Sequence, residues 1–182
     1  MKVIGIVGMP ASGKGEVSKI ARDLGIPVVV MGDAIRRRVK EAGLPATDAN
    51  MGAMSGKLRS DLGMDAIARI TIPAIEAESA PVVLVDGIRG DCEVAAFREH
   101  FPDFTLIGIV SSPETRYQRL ANRGRSDDSL TAGELRDRDE RELGWGLGRA
   151  LAQADHTLVN EGTLEEFAAE VRALFSRLGG NE

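Results

Sequence analysis

The stretch Lys2-Val-Ile-Gly-Ile-Val-Gly8-Met-Pro-Ala-Ser-Gly-Lys14-Gly-Glu-Val-Ser-Lys-Ile20 decides the fold. Val3–Val7 is a continuous apolar run rich in β-branched residues, which suits a strand buried on both faces of a parallel sheet. The residues after it, Gly8, Met9, Pro10, Ala11, Ser12, Gly13, Lys14 and Gly15, fit the pattern G-x-x-x-x-G-K between a strand and a helix. Backbone N–H groups of such a turn form an anion cradle, and the following helix adds the partial positive charge of its N-terminus. Lys14 is placed to bridge the β- and γ-phosphates of a bound triphosphate. The competing reading, a glycine-rich turn with a chance lysine, is disfavoured by the strand before it and the helix after it. The pattern usually continues with a Ser or Thr that ligates Mg²⁺. Here Gly15 and Glu16 stand there, so a metal must be held another way, through water and a carboxylate from elsewhere.

Working outward, four more Val/Ile-rich runs lie at Pro27–Met31, Val82–Val85, Leu106–Val110 and, more weakly, His156–Val159. Between them the spacing predicts helices over Lys14–Leu24, Asp33–Glu41, Asn50–Glu78, Cys92–His100, Pro113–Arg123 and Thr131–Ala152, with Thr163–Leu178 closing the chain. Strands alternating with helices imply βαβ crossovers and a three-layer α/β fold with a five-stranded parallel sheet. Several boundaries carry punctuation. Gly25 sits where the first helix should stop. Ser112-Pro113 offers a cap followed by proline at the first helical position. Thr163 with Glu166 fits a capping box. The chain reads as one domain over 1–182, with an acceptor-side helical insertion at about 33–78 and a lid at about 119–141. Residues 124–133 and 43–63 are the expected mobile excursions.

Ligands in open α/β sheets bind beyond the carboxyl ends of the strands, so the residues there carry the functional reading. Val82–Val85 runs into Asp86-Gly-Ile-Arg89. Asp86 suits Mg²⁺ beside the phosphates, directly or through water, and Arg89 suits a bidentate clamp on an anionic acceptor. The alternatives are a helix cap and a surface charge. The second run is followed by Gly32-Asp33-Ala-Ile-Arg36-Arg37-Arg38. Neighbouring helical residues are about 100° apart, so the three arginines cannot share one site. Arg36 is taken as the ligand-facing one. Asp33 suits a helix N-cap, a metal-water ligand or a base for a hydroxyl acceptor.

Arginines 116, 119, 123, 125, 136, 138 and 141 crowd one segment. Arg116, Arg119 and Arg123 share a helix face. Arg119, Arg123, Arg125 and Arg136 are the candidates for closing over a transferring phosphoryl group. Interleaved acids also make part of this segment an exposed, ion-paired helix. Trp145, in Gly144-Trp-Gly-Leu-Gly148, is read as packing a helix joint in preference to stacking on a base. Cys92 is read as a buried small hydrophobe. His100 and His156 have no partners at metal-ligand spacing, which argues against zinc.

Bulk properties bound the rest. At 182 residues the chain is long enough for one substantial core. A net charge of -5 and a pI of about 5.2 give no general attraction to nucleic acid or membrane surfaces. One cysteine allows no internal disulfide, and no apolar run approaches the about 18 residues of a spanning helix. The expected setting is cytoplasmic.

With these residues in place the chain resembles the nucleoside monophosphate kinase superfamily. Gly8-x-Pro-x-Ser-Gly-Lys-Gly15 is similar to the adenylate kinase phosphate loop, Gly32-Asp33-x-x-Arg36 to its acceptor-phosphate motif, and Asp86-Gly-Ile-Arg89 to its Asp-Gly-Phe-Pro-Arg element without the proline. Arg125-Ser-Asp-Asp with Arg136 is similar to its lid. Residues 24–36 and 154–167 also resemble dephospho-CoA kinase. Over its whole length the chain looks most like an archaeal family of adenylate-kinase-related P-loop proteins. The resemblance implies strand order 2-3-1-4-5, ATP and Mg²⁺ as cofactors, and transfer of the γ-phosphoryl group to a nucleoside monophosphate or a dephospho-CoA-type hydroxyl. The catalytic set would be Lys14, Asp33, Arg36, Arg89, Arg125 and Arg136. Gly8–Glu16, Arg119 and Arg123 would hold ATP, and Asp86 the metal. Two departures stand out: Glu16 where that family has Thr, and an acceptor region, 43–63, unlike either parent. They leave room for a second reading, a regulatory or assembly-type ATPase with a macromolecular partner.

Overall fold

A computed structural model describes residues 1–123 and 131–179. Five parallel strands form one sheet: β1 (Lys2–Gly8), β2 (Val28–Val30), β3 (Val82–Ile88), β4 (Phe104–Val110) and β5 (His156–Val159). Their order is β2-β3-β1-β4-β5, as the resemblance implies. The apolar runs are continuous because the sheet is covered on both sides. On one face Ile4 and Ile6 of β1 pack with Val17 and Ile20 of α1 (Lys14–Asp23) and with Phe167 and Phe175 of α9 (Leu164–Arg177). On the other, Val3 and Val7 pack with α2 (Met31–Glu41), α4 (Ala66–Glu76), α5 (Asp91–His100) and α8 (Leu147–Ala152). The remaining helices are α3 (Asp48–Leu62), α6 (Pro113–Arg123) and α7 (Ala132–Gly144). Among the described residues no helix is long and apolar enough to cross a membrane.

Two expected helices are each divided. The span 50–78 breaks into α3 and α4 at Gly63, whose φ is 103°. The span 131–152 breaks into α7 and α8 at Gly146, with φ 98°. A β-carbon at Gly146 would stand 2.1 Å from Asp91 Oδ1, so the turn requires glycine for space as well as for conformation. The helical periodicity runs across both joints, which is why the spacing alone does not show them. Asp33 is not the cap of α2. That helix begins at Met31 with Val30 as N-cap, because the last strand residue passes directly into the helix. Asp33 lies in the first turn, where an acid complements the helix dipole. Cys92 is exposed, at the start of α5. Two boundary signals hold: Thr163 caps α9 with Glu166 as its reciprocal partner, and Ser112 Oγ accepts from Thr115 N at 3.2 Å; Thr131 and Glu134 form a further capping box at the start of α7.

This topology brings the ends of β1, β3 and β4 to one edge of the sheet, with α1 starting there. The helices α2, α3 and α4, inserted between β2 and β3, form one wall of a cleft, and the α7–α8 joint forms the other.

Candidate active site

The phosphate loop is built from its carbonyls outward. Pro10 O accepts from Arg116 Nη1 at 3.0 Å, and Arg116 is itself held by both oxygens of Asp139 at 3.0 and 2.7 Å. Ser12 O accepts from Asn160 Nδ2 at 2.9 Å and from Ser111 Oγ at 3.1 Å. Carbonyls bound from behind fix the peptide planes of the loop, which is what a backbone anion cradle requires. Asn160 comes so close that a β-carbon on Gly13 would lie 2.2 Å from its Nδ2. Gly13 caps α1 with φ 113°. The loop also carries the one non-glycine residue of positive φ among the described residues, Ala11 at 62°. Backbone held in that region next to a phosphate-binding turn is strain the surroundings enforce.

Lys14 Nζ donates to Gly8 O at 2.5 Å and Met9 O at 2.9 Å, so it is folded against its own loop. Burial, helped by the nearby Arg89 guanidinium, brings its pKa down to about 7, while Glu142 and Asp86 oppose the shift. At the end of β3, Asp86 Oδ2 accepts from Ser18 Oγ, one turn beyond Lys14 on α1, at 2.8 Å. A carboxylate and a hydroxyl beside the phosphate loop form a hard oxygen donor set that fits Mg²⁺ in place of the missing Ser or Thr at position 15. Ser12 Oγ, fully buried and without a hydrogen-bond partner among the described residues, is a further polar atom within the loop.

Beyond Asp86 opens a cleft of about 760 Å³. Arg36, Arg59, Arg89, Arg138 and Arg141 line it, together with Asp48, Asp86, Glu134 and Glu142. Most of these charges meet each other. Arg59 Nη2 reaches Glu93 Oε1 at 2.6 Å, and both side chains are buried. The second oxygen of Glu93 accepts from Arg89 N at 2.6 Å and Gly90 N at 3.1 Å, which fixes the turn carrying Arg89. Arg59 also stacks 4.2 Å from the centre of the Trp145 ring. Trp145 stands at the α7–α8 joint, as expected, and in the cleft wall as well. Arg138 and Arg141 both reach Asp48 at the start of α3, at 3.3 and 3.1 Å.

Glu142 is the central acid. Its Oε1 accepts from Arg138 Nε at 3.0 Å, and its Oε2 lies 3.2 Å from Arg89 Nη1. Burial alone would raise its pKa, but Arg89, Arg138 and Lys14 outweigh that and hold it below the usual carboxylate range.

The structure thus brings together Lys14, Asp86, Arg89 and Arg36 at one sheet edge. Arg36 lines the cleft and pairs with the exposed Asp33. Arg119, expected in the lid, reaches Ser12 O, Ser111 Oγ and both oxygens of Asn160. Arg136 is exposed and donates to Tyr117 Oη at 3.3 Å. Arg125 and the side chain of Arg123 lie outside the described residues. Gly15 and Glu16 lie in the first turn of α1, and among the described residues nothing beyond Gly15's own chain neighbours and helix backbone lies within 4 Å of where a β-carbon on it would stand. Sequence reasoning missed Ser18, Asn160, Arg59, Asp48 and Glu142. For Glu142 a signal existed, since Arg138, Arg141, Glu142 and Trp145 fall at i, i+3, i+4 and i+7 on one helix face.

Comparison with known proteins places this site in a family. Residues 7–134 match the family model described as an AAA domain. A UPF0200 protein of Methanoculleus marisnigri is 81% identical over the full length of both chains, and one of Methanoregula boonei is 62% identical over 96% of each. Among solved structures, TT1252 from Thermus thermophilus superposes with a TM-score of 0.67 at 18% identity, covering 97% of each chain. Shikimate kinase from Bacteroides thetaiotaomicron does so with 0.61 at 17%, covering 97% of this chain and 98% of that one. At such identities these two show the fold alone, the P-loop kinase fold. The chain belongs to the UPF0200 family of archaeal proteins and, over residues 7–134, to the AAA-domain family.

Proposed function

We propose that this protein is an ATP-dependent phosphotransferase that passes the γ-phosphoryl group to a small nucleotide-like acceptor, of the nucleoside monophosphate or dephospho-CoA type. The observation that carries this reading is the arginine-lined cleft opening directly beside the phosphate loop, with Asp86 and Arg89 between the two. A hydrolase needs only the loop and a water. A cleft of this size, lined by five arginines among four carboxylates, has room for a second molecule.

In this reading the backbone of Gly8–Gly15 and Lys14 hold the triphosphate, and Asp86 with Ser18 holds Mg²⁺, which when bound neutralises charge on the β- and γ-oxygens. Arg36 and Arg89 bind the acceptor's anionic group and set it in line with the γ-phosphorus. Arg119 secures the donor loop, while the expected lid arginines Arg123, Arg125 and Arg136 supply further positive charge to the transferring group. Arginines around the equatorial oxygens stabilise charge in the transition state, and closure keeps water from competing. A phosphate acceptor needs no base. A hydroxyl acceptor would call on Asp33, whose bond to Arg36 must then open.

The test is incubation of the protein with Mg²⁺ and γ-labelled ATP, alone and with nucleoside monophosphates or dephospho-CoA. Label on one acceptor is the expected result. Label released only as phosphate, at a rate no acceptor changes, would refute the kinase and favour an ATPase acting with a macromolecular partner.

A further inference from the structure

The cleft contains its own anion. Glu142 is 2% exposed, yet its carboxylate faces the cleft between Arg89 and Arg138. On the Arg138 side the geometry is that of a charge-assisted hydrogen bond, at 3.0 Å. On the Arg89 side it is not. Oε2 and Nη1 are 3.2 Å apart, but both are buried and among the described residues neither has a hydrogen-bond partner of acceptable direction. A buried donor and a buried acceptor left misaligned at contact distance are costly, and a ligand that satisfies both relieves that cost. The charge count points the same way. Five arginines face four carboxylates along the cleft wall, so an entering anion must exchange with a carboxylate instead of joining an open field of cations.

We propose that the space held by the Glu142 carboxylate, between Arg89 and Arg138, is a phosphoryl-binding subsite of the acceptor, and that Glu142 is an internal competitor which a dianionic phosphate group displaces and a carboxylate does not. Being tethered, Glu142 competes at high effective concentration. A monoanionic carboxylate ligand offers Arg89 and Arg138 nothing that Glu142 lacks. A phosphate dianion brings twice the charge and three acceptor oxygens, enough to align with Arg89 Nη1 and still serve Arg138. Glu142 thereby selects the acceptor class: phosphate esters enter, carboxylates do not. This inference rests on reading the cleft as the acceptor site.

Its test reads anion binding without turnover, so its failure is separate from failure of the kinase reading. Inorganic phosphate and acetate are titrated into the full chain, wild type and Glu142→Gln, by calorimetry and by the emission of the single tryptophan, Trp145. The wild type is expected to bind phosphate and not acetate. Glu142→Gln is expected to bind phosphate at least about tenfold more tightly and to begin binding acetate. The gain should persist in a Lys14→Met background, where the phosphate loop has lost its cation. Phosphate affinity that is unchanged or weaker in Glu142→Gln overturns the proposal. So does a gain that Lys14→Met abolishes, because the anion then sits on the loop. If Glu142→Gln fails to fold in phosphate-free buffer, phosphate should restore its melting transition; a variant that stays unfolded with phosphate makes Glu142 a structural residue and overturns the proposal too.

Discussion

In the proposed reading, the two halves of this site hold anions by different means. On the donor side, the phosphate loop is fixed by side chains that donate to its carbonyls: Asn160, Ser111 and Arg119 at Ser12 O, and Arg116, which also pairs with Asp139, at Pro10 O. Nothing there must be displaced except the hold of Lys14 on its own loop. On the acceptor side the cations are engaged with carboxylates: Arg59 with Glu93, Arg138 with Asp48 and Glu142, Arg141 with Asp48. On that reading the donor half is preorganised and accepts any triphosphate that fits. The acceptor half is self-neutralised and exacts an exchange, so it discriminates. Rigid backbone donors give affinity without reorganisation, whereas competing ion pairs convert affinity into selectivity.

The largest break in this comparison comes from Lys14→Met. Lys14 is the one donor-side cation that must let go of the loop and turn to the phosphates. Its loss is expected to lower turnover about 10³-fold, in the labelled-ATP assay. Thermal stability without nucleotide should hold or rise, because the ammonium is buried and its charged form is disfavoured there. A large fall in melting temperature would show that Lys14 is part of the scaffold and not a movable ligand.

Asn160→Ala tests whether the loop's preorganisation comes from behind. Asn160 is buried, donates to Ser12 O and accepts from Arg119. Removing it leaves those partners wanting, at about 2 kcal/mol by denaturant unfolding. Nucleotide affinity should fall about tenfold while phosphate binding in the Glu142 subsite is unchanged. Equal losses on both sides would mean that the halves are one cooperative unit.

Legibility in the sequence follows the same division. The donor half was readable because its elements are contiguous: a buried strand, a glycine-rich turn and a helix start all lie within Lys2–Ile20. The capping box at Thr163 and the strand-end positions of Asp86 and Arg89 were equally accessible, since each rests on local chemistry or on βαβ connectivity, whereas the sheet order came with the family resemblance. Asn160 was not, because its meaning depends on β5 lying next to β4, which is tertiary information. The breaks at Gly63 and Gly146 were hidden by helical periodicity that continues through them. Glu142 was hidden by company: in Arg136-Asp-Arg-Asp-Glu-Arg-Glu142 every residue looks like solvated charge, and only the packing of α7 against Arg89 singles out one acid. Cys92 was misread because helix α5 turns that position outward.

The remaining test separates the halves most sharply, because it uses pH in place of mutation. In the free protein Lys14 titrates near 7, well below its ordinary 10.5. A bound triphosphate favours the protonated form and raises that value, so nucleotide binding above pH 7 takes up a proton. Affinity for nucleotide should therefore fall as pH rises from about 7.5 to 9.5, by up to about tenfold per unit. Over that range the nucleotide phosphates are already ionised, so the slope belongs to the protein. The cations of the cleft are arginines, which keep their charge throughout. Binding of sulfate, a dianion that does not titrate there, should be flat in the same window for Glu142→Gln. The apo fold should behave in the opposite sense to nucleotide affinity. The unfolded chain keeps Lys14 protonated up to about 10.5 while the folded chain does not, so this group adds stability as pH rises between about 7 and 10.5. Calorimetry in buffers of different ionisation enthalpy measures the proton uptake directly. Absence of uptake in the wild type, or the same uptake in Lys14→Met, would place the titrating group elsewhere and remove the asymmetry between a donor half that moves one proton and an acceptor half that exchanges one carboxylate.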